Sequence, residues 1–139
     1  MDPSGPEGVT RPETPHERPE PVRVWLLGGF RVSVGSRTME GGAWRLRKAT
    51  ALMKLLSLAP GHHLHREQAI ELLWPGLNPQ AAANNLHQIL HAVRHTLERS
   101  ALASSSAASR YLHLRRERLL LCPDTPLWVD VEAFEEAAA

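Results

Sequence analysis

Asn84, Gln88, His91 and His95 recur at spacings of four, three and four, which on a helix sets them along one stripe. Asn and Gln can each give and accept a hydrogen bond at the major-groove edge of adenine, and imidazole can meet base or phosphate while carrying little charge. The stripe therefore has the chemistry of a base-reading surface, with an ordinary solvated helix face as the alternative. With the neighbouring Asn85, the candidate base-contacting residues are Asn84, Asn85, Gln88 and His91. A second pattern overlaps the first, because His87, His91 and His95 follow at i, i+4 and i+8, a spacing at which imidazoles can share a zinc ion. No Cys or carboxylate other than Glu98 accompanies them, and there is no HExxH. A metal-responsive regulator is thus a lesser alternative, and no metal or cofactor is assigned.

Catalytic signals are missing. No phosphate-cradling glycine loop or GxSxG elbow occurs, and Gly28-Gly29 lies between strands without the helix that a dinucleotide site needs. The chain reads as a non-enzyme. Its single cysteine, Cys122, can form neither an internal disulfide nor a CxxC site. Apolar runs fall short of the roughly 18–20 residues that span a bilayer, and the start of the chain is unlike a signal peptide. A cytoplasmic protein with no membrane partner is expected.

Charge separates the 139 residues into three parts. Residues 1–20 hold five acids and two bases, and six prolines occur by Pro21, which reads as a disordered leader. Residues 21–121 hold fourteen Lys or Arg against five acids, whereas residues 122–139 hold five acids and no base, so a net charge of +1 conceals a strongly basic middle. Such a middle raises nucleic acid as a partner, with a solvated basic face as the alternative. Candidate phosphate ligands are Arg45, Lys48, Arg66, Arg94, Arg115, Arg116 and Arg118.

The elements that position these residues follow from periodicity. Residues 22–27 and 30–34 are strand-like, and Gly35-Ser36 suits a type II′ turn into a short third strand at 37–39, giving a small antiparallel sheet. Helical spacing runs over about 44–59, stopped by Pro60-Gly61, and over 65–74, stopped by Pro75-Gly76. Asn78-Pro79 then supplies an N-cap and a proline at the first position of a third helix to about Glu98. Its core face is Leu86, Leu90, Val93 and Leu97, opposite the amide and imidazole stripe. Residues 100–109 read as a flexible connection. Residues 111–114 and 119–121 form a hairpin tipped by Arg115, Arg116, Glu117 and Arg118, and Asp130 is placed to cap a last helical turn. Trp25, Trp44, Trp74, Trp128 and Tyr111 read as packing anchors.

The expected class is α+β: a winged helix-turn-helix with an N-terminal antiparallel sheet, three helices and a C-terminal hairpin wing over residues 21–123, followed by an acidic tail at 124–139. Its function would be sequence-specific binding of double-stranded DNA, the third helix in the major groove and the wing on backbone or minor groove. A winged-helix module that binds a protein instead of DNA is the second alternative.

The series LGGFRV (27–32), WRLRKA (44–49), HREQ (65–68), LLWP (72–75), NNLHQILHAVR (84–94) and VDVEAF (129–134) resembles the N-terminal DNA-binding domain of SARP-type (antibiotic regulatory protein) bacterial transcriptional regulators. The resemblance covers residues 22–135. It implies an OmpR/PhoB-type winged helix in a transcriptional activator, with promoter DNA and RNA polymerase as partners and dimeric or tandem binding on DNA as an option. It implies that VDVEAF leads into an activation domain, of which residues 124–139 would be the start. It also implies that the turn at residues 75–78 meets the polymerase.

Overall fold

The computed structural model describes residues 20–44, 46–98 and 110–138. Among these residues two small sheets and four α-helices make an α+β fold. Strands β1 (Val22–Trp25), β2 (Arg31–Val34) and β3 (Arg37–Glu40) form the expected meander, with Val22 opposite Val34 and Val32 opposite Met39. Alternation sends Val22, Val24, Val32, Val34 and Met39 to the core and leaves Arg23 and Arg31 outside. At the β2–β3 turn Gly35 has φ +58° and Ser36 is not left-handed, which is the II′ pattern that needs glycine first.

Helix α1 (Arg47–Leu58) buries Ala49, Leu52, Met53 and Leu56 in the same core. It starts later than the periodicity predicts, because Trp44 stands before it with its ring 5.6 Å from that of Phe30. A 3₁₀ turn, Pro60–His62, follows, and then β4 (His63–His65), α2 (Arg66–Leu73) and α3 (Pro79–Glu98). The hairpin is β5 (Leu112–Arg115) and β6 (Arg118–Leu121), and β4 pairs with β6 to complete a sheet ordered β4-β6-β5. Leu86, Leu90, Val93 and Leu97 of α3 meet Leu52, Leu56, Leu112 and Leu119 in one core shared by both sheets.

The C-terminal part differs from expectation. Leu127–Val129 is a strand, β7, lying parallel to β1 with Val24 opposite Val129, so the first sheet is mixed, in the order β3-β2-β1-β7. It continues into α4 (Asp130–Ala138). Asp130 does more than begin this helix. Its carboxylate accepts from the Leu26 amide at 2.9 and 3.0 Å and from the Leu27 amide at 2.9 Å, fastening α4 to the loop after β1. His62 adds a second tie, with Nδ1 3.1 Å from the Leu56 carbonyl and Nε2 3.0 Å from Glu132. The packed unit thus runs past residue 123, the boundary that the acidic composition of the tail predicts. Among the described residues no helix is long and apolar enough to cross a membrane.

Candidate nucleic-acid interface

Helix α3 is started by the two residues that the sequence marks. The Asn78 carboxamide oxygen accepts from the Ala81 amide at 2.9 Å, and Pro79 fills the first helical position. Twenty residues give a rod of about 30 Å. At 100° per residue its buried positions centre on Val93, and Asn84, Gln88, His91 and His95 fall diametrically opposite, all exposed. Asn85 lies on the flank and is half-buried. The Gln80 amide donates to the Asn84 carboxamide oxygen at 3.3 Å, and the His91 and His95 rings lie parallel with centroids 6.4 Å apart.

The far end of this helix is held from two sides. Arg37, on β3, donates to the Leu97 carbonyl, and Glu98 accepts from the Arg110 amide at 2.8 Å. Arg94 is the third tie and a correction to the phosphate role that its sequence position predicts. It is only 7% exposed and its Nε donates to the Leu112 carbonyl at 3.1 Å. Burial lowers its pKa, and nearby Glu98 partly restores it. The guanidinium therefore joins α3 to β5, and is not presented to a ligand.

Four of the candidate cations, Arg66, Arg115, Arg116 and Arg118, lie on the hairpin or at the start of α2 that its tip meets. The turn Arg116-Glu117 has φ +50° and +70° on two non-glycine residues, the left-handed pair of a type I′ hairpin. Its Glu117 carbonyl accepts from the Arg66 backbone amide at 2.7 Å, so the tip is bonded to the first turn of α2. That helix begins with a capping box, His65 Nδ1 accepting from the Glu67 amide and the Gln68 side chain accepting from the His65 amide, each at 3.1 Å. The Arg66 guanidinium lies 3.6 Å from Glu67 and 3.7 Å from Glu117. Arg118 stands 3.3 Å from the His63 ring, Arg115 is 3.3 Å from Asp124, and Arg116 is exposed at the turn. Lys48 is partly spent, its ammonium donating to the Leu73 carbonyl at the end of α2 at 2.6 Å. Arg45 lies outside the described residues.

Of the sequence candidates, Asn84, Gln88 and His91 share one exposed stripe, and Arg66, Arg115, Arg116 and Arg118 share the hairpin and its contact with α2. Arg94 leaves the set. The ties through Arg37, Asp130 and the Glu117 carbonyl were missed, since each joins residues far apart in the chain and leaves no local signature. Among the described residues no group of three His, Cys, Asp or Glu is placed to hold a metal ion, and His87, His91 and His95 are not brought together as one. Cys122 is buried, and burial pushes its thiol up to about 12, so it is no nucleophile at neutral pH. Compared with known protein families, curated proteins and solved structures, the chain matches none.

Proposed function

We propose that this protein is a sequence-specific, double-stranded-DNA-binding winged-helix domain of a bacterial transcriptional regulator, in keeping with its resemblance to SARP-type activators. Helices α2 and α3 with the turn between them act as the helix-turn-helix, and the β5–β6 hairpin acts as the wing. The observation that carries this reading is the exposed Asn84, Gln88, His91 and His95 stripe on a helix whose opposite side and far end are fixed to both sheets. A rigid rod bearing amides and imidazoles is suited to a major groove, and a basic hairpin bonded to α2 is suited to the backbone beside it. Base contacts fall to Asn84, Gln88 and His91 with Asn85 at the margin, and phosphate contacts to Arg66, Arg115, Arg116 and Arg118. The turn at residues 75–78, with Leu77 in it and Leu72 just before it both exposed, offers RNA polymerase an apolar contact.

The test is a salt titration on random duplexes followed by selection and sequencing of the bound fraction. An enriched motif and a steep salt dependence are expected. On that motif Gln88→Ala should cost about 1–3 kcal/mol and leave random duplexes unaffected, whereas Arg116→Ala should weaken both and flatten the salt slope by about 0.9. Absence of binding at low salt would overturn the reading in favour of a protein-interaction module.

A further inference from the structure

The face of the first sheet turned away from the core is not a plain solvated surface. Register puts Arg23 beside Trp128, and Trp25 beside Arg31 and then Glu40. The Trp25 and Trp128 rings meet edge to face, 5.5 Å between centroids, and the Arg31 guanidinium lies 4.5 Å over Trp25. Trp128 remains 41% exposed and Leu27 55%. Between Trp25, Leu27, Arg31, Glu40 and the Gly28-Gly29 loop is an open cavity of about 250 Å³. That is below the roughly 300–1,000 Å³ of sites for drug-sized ligands, and suits one or two side chains of an extended peptide. Indoles beside Arg23 and Arg31, with Glu40 also lining the cavity, offer a surface for a proline-rich chain bearing acids, which docks with little further loss of entropy.

The chain itself supplies such a segment. Residues 1–19 contain five prolines and four acids against two arginines. They join the fold at Glu20, whose amide donates to the Tyr111 hydroxyl at 2.9 Å and whose carboxylate lies against Gly35, at the β2–β3 turn end of the sheet. From Val22 to the Trp25 row is three strand residues, about 10 Å. Four residues in polyproline conformation would span about 12 Å, a matching length. We propose that residues 12–17, Pro-Glu-Thr-Pro-His-Glu, dock on this outer face of their own chain, with Pro12 and Pro15 against the Trp25 and Trp128 indoles and Glu13 and Glu17 toward Arg23 and Arg31. The leader is then a ligand of the sheet and not only an acidic appendage.

The full chain tests this with a nitroxide on Thr10→Cys, since the buried Cys122 escapes labelling. Loss of the Trp25 and Trp128 indole N–H signals is expected while that of Trp74, at the end of α2, persists. The loss should be reversed by adding Glu13→Gln, Glu17→Gln, Pro12→Gly and Pro15→Gly, with the rest of the spectrum unchanged. Signals that survive in the labelled chain, or fade equally for Trp74, would overturn the proposal. So would fading seen only when labelled chain is mixed with a separate isotope-enriched copy, which would make a second molecule the occupant.

Discussion

Arg94→Met separates the sequence view of this arginine from the structural one. A phosphate ligand would be dispensable for folding, whereas the guanidinium seen here is buried and donates to the Leu112 carbonyl at 3.1 Å. Losing a charged hydrogen bond to a buried carbonyl costs about 1.5–3 kcal/mol. Part is recovered because methionine escapes the desolvation that lowers the Arg94 pKa, and its thioether chain keeps much of the packing. A net loss of about 1–2 kcal/mol remains, which in a domain near a hundred residues lowers Tm by roughly 5–10 °C. Arg94→Lys retains the charge without the planar fork and should lose a similar amount. Urea unfolding and a duplex salt titration on the same samples read both quantities. Unchanged stability together with a salt slope flattened by about 0.9 would place Arg94 on a phosphate and refute the reasoning.

Asp130→Ala strands two backbone amides, of which that of Leu27 is open to water, so a loss of about 2 kcal/mol in urea unfolding is expected; Asp130→Asn should recover part of it. Glu117→Gly removes a left-handed strain of about 1–2 kcal/mol against a glycine entropy cost of about 0.5–1, so Tm should rise by a few degrees, and a fall would mean that the Arg66 ion pair outweighs the turn. With its thiol pushed up to about 12, Cys122 should resist a thiol reagent at pH 8 until denaturant unfolds the chain, after which it should react at the ordinary rate. Prompt reaction of the folded protein would show that the site opens.

Periodicity made the meander, the three central helices and the hairpin legible, because each buries one clean face: Val22 and Val24 alternate, and Leu86, Leu90, Val93 and Leu97 recur at helical spacing. Elements that take their conformation from a distant partner were not. His63–His65 carries no β-branched residue and reads as the lead-in to a helix, yet pairing with Arg118–Leu121 makes it a strand. Leu127–Val129 is too short to show a period and is defined by the strand a hundred residues earlier. Four tryptophans looked alike as packing anchors, but Trp44 is 5% exposed and Trp128 41%, a contrast set by which face of the sheet each meets. The helical wheel put Arg94 beside the exposed stripe, and only the position of β5 across that flank turns it inward.

The parallel pairing of β1 and β7 also sets how the protein bears load. Tension applied through residues 20 and 138 reaches the beginning of one strand and the end of its neighbour, which are opposite ends of the pair. Once α4 has peeled away, the strands are pulled past each other lengthwise, and their hydrogen bonds must give way together instead of one at a time as in a zipper. A strand of three residues thus acts as a mechanical latch, and single-molecule pulling through these two points should meet a sharp rupture, where pulling across the β5–β6 hairpin opens it gradually.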